Sequence, residues 1–104
     1  NMTRISVSEY RLSPAAQIDL DEIWDYTAET WSVDQAETYL RGLHSKLSHL
    51  CEFPLSNRER MEIKPPVRVS AYERHLIIYR AEDDYIAIIR VAHNRSRWQA
   101  LLSE

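Results

Sequence analysis

The chain is short of several things, and each shortage removes a class of protein. One cysteine, Cys51, in 104 residues excludes an internal disulfide and fits a reducing cytoplasm. Its place in the apolar stripe of a helix reads as a buried structural thiol. One glycine, Gly42, leaves no glycine-rich loop to hold phosphate and no GxSxG turn. No apolar run approaches membrane-spanning length, and the N-terminus lacks the basic-then-apolar layout of a secretion signal. Metal-ligand spacing is missing too. His44 and His49 stand five apart where a helical pair needs four, and there is no HExxH or Cys/His set, so neither metal nor cofactor is expected. Clustered basic charge is also scarce, since the net charge is −3. Asp19, Asp21, Glu22, Asp25, Glu29, Asp34, Glu37 and Glu52 face only Arg41 and Lys46 between residues 13 and 52. Such a chain is a poor general nucleic-acid binder, because counterion release needs a basic surface. Asp21, Glu22 and Asp25 imitate paired catalytic carboxylates, but beside Asp19 and Glu29 they read as a solvated helix face.

What is present suits a single globular domain over residues 1–104, with 44% hydrophobic and 10% aromatic residues. Residues Ile5 to Leu12 alternate and read as a strand. Ser13-Pro14 then offers an N-cap with proline at the first helical position. Ala16, Leu20, Ile23, Trp24 and Thr27 carry that helix to about Thr30 at 3.6-residue spacing. Ser32-Val-Asp-Gln35 is a capping box for a second helix whose seam is Ala36, Leu40, Leu43, Leu47 and Leu50, ending at Pro54. So short a link folds the two helices into an antiparallel hairpin. Gly42, inside the second helix, suggests close backbone approach to the first or contact with a partner. Residues 54–66 form a polar loop, with Asn57 at a natural left-handed position.

The centre of the chain is the stretch from Val67 to Arg97. His75-Leu-Ile-Ile-Tyr-Arg80 and Tyr85-Ile-Ala-Ile-Ile-Arg-Val91 flank Glu82-Asp83-Asp84 and read as a hairpin, with Val67 to Tyr72 as a third strand. Nearly continuous apolar runs mark strands covered on both faces. Ser96 can cap a short final helix ending near Leu102. The order β-α-α-β-β-β gives an α+β fold, a helical hairpin packed on a small, mainly antiparallel β-sheet with a short C-terminal helix.

Arginine punctuates this stretch at positions 68, 74, 80, 90, 95 and 97. Three uses are open: pairing with Glu73, Glu82, Asp83 and Asp84, a protein-binding surface, or a metal-free RNase site around His93. Register decides which arginines share a face. A two-residue turn at Glu73-Arg74 pairs Arg68 with Tyr79, and a three-residue turn pairs it with Arg80.

Tyr10-Arg-Leu-Ser-Pro-Ala-Ala16, Asp19-Leu-Asp-Glu-Ile-Trp-Asp-Tyr26, Trp31 with Gln35-Ala36 and Tyr39-Leu40, Arg74-His-Leu-Ile-Ile-Tyr-Arg80 and Ile88-Ile-Arg-Val-Ala-His93 together resemble the ParE toxins of the RelE/ParE toxin–antitoxin superfamily. The resemblance implies a cytoplasmic toxin of a type II toxin–antitoxin system. It would inhibit DNA gyrase by protein binding, with no enzymatic step, and be neutralised by a ParD-like antitoxin. Nucleic acid would be met only through gyrase or the antitoxin. On that basis Arg80, Arg90, His93, Arg95, Arg97 and Trp98 are expected to bind the target. Tyr26, Trp31 and Tyr39 are expected to meet the antitoxin or else to pack in the core. Two other readings stand beside it: a ribosome-dependent mRNA interferase similar to RelE, with His93 as acid or base and Arg95 on the phosphorane, and a non-toxic co-repressor partner of the antitoxin. Leu76 stands where the RelE branch has an arginine. After His93 the ParE pattern has glycine and then a basic residue followed by aspartate, whereas this chain has Asn94-Arg95-Ser96-Arg97-Trp98.

Overall fold

The computed structural model describes residues 6–102. Its elements follow the expected order with one addition: β1 (Tyr10–Leu12), α1 (Pro14–Thr30), α2 (Val33–Glu52), β2 (Glu59–Arg60), β3 (Val67–Tyr72), β4 (His75–Ala81), β5 (Ile86–His93) and α3 (Trp98–Leu101). The five strands form one sheet in the order β1-β5-β4-β3-β2. Among the described residues only the β1–β5 pair is parallel, so the mainly antiparallel sheet stands. Ile5 lies outside the described residues, and β1 is shorter than expected. Val7 spends its N–H on the Cys51 carbonyl, and pairing with β5 begins only where the Ile86 N–H reaches the Glu9 carbonyl.

Local chemistry places both helices. The Ala16 N–H donates to Ser13 Oγ at 3.0 Å, while the same hydroxyl donates to the Ile89 carbonyl at 2.7 Å. One side chain thus starts α1 and ties that start to β5. At the head of α2 the Gln35 N–H donates to Ser32 Oγ at 3.0 Å. Across one sheet face Leu20, Ile23, Leu43, Leu47 and Leu50 pack on Ile77, Tyr79, Ile86 and Ile88. On the other face Trp98 of α3 covers Val67, Ile78 and Ala92, with Ile63, Leu76 and Leu102 at the margin. Cover on both faces is what the continuous apolar runs required.

Register is fixed by the Tyr72↔His75 pair, which leaves the two-residue turn Glu73-Arg74 and sets Arg68 opposite Tyr79. An irregularity in the register shapes β5. Ile78 faces Arg90 and Tyr79 faces Ile88, so Ile89 is an extra residue without a partner on β4.

Several local expectations are corrected. Glu73, at φ 51, is the non-glycine residue with positive φ among the described residues; Asn57 is not. Asn57 is occupied instead: its amide donates to Tyr79 Oη at 3.1 Å and its carbonyl accepts from Arg68. Ser96 does not cap α3. Arg97 holds the cap position without a side-chain bond, because Ser96 Oγ donates back to the His93 carbonyl at 2.7 Å. Gly42 makes room for β3 rather than for α1, since a Cβ there would collide with the Tyr72 phenol. Gly42→Ala should therefore cost about 1 kcal/mol despite the better helix propensity of alanine. In a Tyr72→Leu background the same change should become stabilising. Urea denaturation of the four proteins checks this, and equal effects in both backgrounds would sink it.

Candidate functional site

Three hollows meet at the end of the sheet where β3 turns into β4 and β5 ends. The largest, about 550 Å³, lies between the helical hairpin and that turn, with Tyr26, Trp31, Tyr39, Tyr72, Glu73 and Arg74 in its wall. Tyr26 also borders a more apolar hollow of about 330 Å³ with Ile23, His75, Val91, Ala92, His93 and Leu101. Arg74 and His93, with Asn94 and Arg95, frame a small one of about 250 Å³. The three residues expected to meet an antitoxin therefore share one groove. Tyr26 and Trp31 are 66% and 64% exposed, so neither is a core residue.

A chain of polar contacts runs behind this surface. Tyr39 Oη lies 2.8 Å from His75 Nδ1 and accepts the Arg74 N–H at 3.2 Å. The His75 and His93 rings, on paired residues of β4 and β5, meet edge to face with centroids 5.5 Å apart. His93 Nδ1 in turn accepts the Arg95 N–H at 3.1 Å. Burial pulls the His75 imidazole down to about 4 from its ordinary 6.5. His93 and Arg74 add to the shift, and Asp19 opposes it. Between those values the unfolded chain binds a proton that the folded chain refuses. Stability should thus fall as pH drops from 6.5 to 4 and level off below. Partial exposure of the ring screens the effect to about 1–2 kcal/mol. His75→Gln should remove that part of the pH slope in urea titrations at pH 7 and 4.5; an unchanged slope would reject the assignment.

The six residues expected to bind a target are not brought together. His93 and Arg95 are exposed at this end of the sheet with Arg74 alongside, and Arg97 is exposed at the N-terminus of α3. Among the described residues, none of these arginines has an acidic partner; the ion pairs are Arg11–Glu9, Arg60–Glu62 and Arg90–Asp19. The pairing of arginines with Glu73, Glu82, Asp83 and Asp84 is therefore not observed. Arg80 sits at the other end of β4, roughly 17 Å along the strand from His75, beside Glu59, Pro65, Pro66 and Glu82. Trp98 is 6% exposed and belongs to the core beneath α3.

Arg90 is anchored rather than free. Its Nε and Nη2 donate to the two Asp19 oxygens at 2.8 and 2.9 Å, and the Val91 N–H donates to the same carboxylate at 2.9 Å. The partnership with Asp19 raises the Arg90 pKa further. β1 pairs with β5 only as far as Ile88, so Asp19 takes up a backbone N–H beyond the end of β1. Asp19, expected among the solvated acids, is 8% exposed. The signal that could have found it is its position in the stripe Ala16-Asp19-Leu20-Ile23, an acid at apolar spacing.

Among the described residues no cluster of His, Cys, Asp and Glu is placed to hold a metal, and no helix is long and apolar enough to cross a membrane. A family model for the ParE toxin of the type II toxin–antitoxin system parDE matches residues 10–98. Toxin ParE1 of Mycobacterium tuberculosis is 43% identical over 89 residues, which cover 85% of this chain and 91% of that protein. Toxin ParE1 of Caulobacter vibrioides is 34% identical over 93 residues, 89% of this chain and 96% of that one. The solved structure titled as the chromosomal ParDE TA system from P. aeruginosa matches with a TM-score of 0.71 at 18% identity, over 88% of this chain and 98% of its own, a likeness of fold. With a family match that runs from β1 to the first residue of α3, the chain belongs to the ParE toxins of type II toxin–antitoxin systems.

Proposed function

We propose that this ParE toxin acts in the cytoplasm by binding DNA gyrase, without breaking bonds itself, and that a ParD-like antitoxin neutralises it. The observation that carries the reading is the unpaired cationic end of the sheet. Arg74, Arg95 and Arg97 are exposed without acidic partners among the described residues, and guanidinium groups suit carboxylates, carbonyls and phosphates on a large partner. The groove beside Tyr26, Trp31 and Tyr39 supports the antitoxin part: its aromatic wall suits an amphipathic segment that orders on binding. A supercoiling assay with purified gyrase tests the target. Inhibition is expected, and its absence at any excess of toxin would reject gyrase.

One observation favours a second reading as an mRNA interferase. His93 stands between Arg74 and Arg95 around a hollow of about 250 Å³, a base with cations in the manner a metal-free RNase requires. Codon-linked cuts in translated mRNA, read by primer extension, would replace the first reading with this one.

A further inference from the structure

Tyr39 is exposed to the groove on one side, yet its hydroxyl is committed on the other. That hydroxyl has one proton and two acceptors within reach, His75 Nδ1 at 2.8 Å and the Tyr72 carbonyl at 3.4 Å. The shorter contact takes the proton. His75 Nδ1 is then an acceptor, which leaves the ring hydrogen on Nε2 and fixes both tautomer and ring plane. The His75 ring meets His93 at 78° between planes with centroids 5.5 Å apart, a favoured edge-to-face arrangement. His93 Nδ1 is also an acceptor, since the Arg95 N–H donates to it at 3.1 Å. The adjoining Asn94 N–H donates to the Arg74 carbonyl at 2.8 Å, and the Ser96 N–H and Oγ both donate to the His93 carbonyl, so the turn after β5 is anchored at Arg74 and His93.

We propose that Tyr39 and His75 are positioning residues for the exposed His93–Arg95 end of β5. The Tyr39 hydroxyl orders His75, His75 orders the His93 ring, and His93 holds the Arg95 amide. The charged and titratable groups around this chain come from several elements: Tyr39 from α2, Asp19 and Glu22 from α1, Glu73 and Arg74 from the β3–β4 turn, and Arg95 from the segment after β5. A polar group of a partner that draws off the Tyr39 hydroxyl from within the groove therefore loosens the Arg95 segment without touching it. Occupation of the groove and readiness of the cationic end become linked. The biological weight of that link rests on the function proposed above.

Tyr39→Phe isolates the hydroxyl, because the ring still packs edge-on against Tyr72 and His75. With the melting temperature confirming the fold, the Arg95 amide should exchange with solvent about fivefold faster, the equivalent of one lost hydrogen bond. The ring nitrogen resonances of His93 should move as well. His75→Gln should reproduce both changes, while Tyr26→Phe, in the same groove but off the chain, should produce neither. A Tyr39→Phe protein with wild-type Arg95 exchange and His93 ring shifts would overturn the inference, as would equal shifts in Tyr26→Phe. These signals need no target. A chain that left gyrase untouched would overturn the proposed function and leave this arrangement standing.

Discussion

Asp19→Ala should lower the stability of the fold by about 2–3 kcal/mol, the cost of breaking a largely buried, hydrogen-bonded ion pair with one partner still partly wet. Three bonds disappear at once: two from Arg90 and one from the Val91 N–H. The Arg90 side chain is 24% exposed and can turn toward water, which holds the loss below that of a sealed pair. The Val91 amide has no such outlet, because Val91 is 3% exposed. A domain of this size should lose roughly 10–15 °C in melting temperature. Asp19→Asn keeps an acceptor for the amide and loses the charge, so its loss should be smaller, about 1–2 kcal/mol. Asp21→Ala is the control two residues on. Its carboxylate meets only Gln17 at the surface, and the change should stay within about 0.5 kcal/mol. Urea titrations with a common m-value decide the matter, and an Asp19→Ala protein as stable as Asp21→Ala would show that the pair does not hold α1 to β5.

That same pair shows where sequence reading stops. The helical hairpin was legible because its signals are local: Ser13 with Pro14, Ser32 with Gln35, and a leucine seam at helical spacing. The three long strands were legible because buried strands are continuous in apolar residues. The two-residue β2 gives no periodic signal; Glu59 and Arg60 become a strand only because β3 lies beside them. Positive φ fell on Glu73 rather than Asn57 for a similar reason. The tight β3–β4 turn imposes its geometry on whichever residue occupies it, while Asn57 is employed by Tyr79 and Arg68. Site residues depended on register most of all. Arg80, beside the β4–β5 turn, is set far from Arg95 by the hairpin itself, whereas whether His75 meets His93 follows from one turn length and one bulge. Composition and spacing contain neither. Trp98 is expected at the target from the resemblance, yet the back of the sheet needs a cover and the indole supplies it.

The second large effect is expected at the cationic end, where a paired charge reversal should separate binding from folding. Arg95→Glu with Arg97→Glu should leave the melting temperature within a few degrees of wild type, since both side chains are exposed and neither has an acidic partner among the described residues. In a supercoiling assay the same protein should need roughly 30–100-fold more toxin for equal inhibition. Two guanidinium contacts replaced by like-charge repulsion are worth about 2–3 kcal/mol at a protein interface. Arg95→Lys with Arg97→Lys keeps the charge but not the planar fork, and should fall between the two. Arg90→Ala and Trp98→Ala are poor probes of the same question, because both would disturb the fold first. Arg58→Glu, exposed on the loop between α2 and β2, carries half of that charge change and serves as the control. Half the loss in log potency there would trace the effect to overall charge. Potency retained in the double glutamate variant would move the docking surface away from the His93 end altogether.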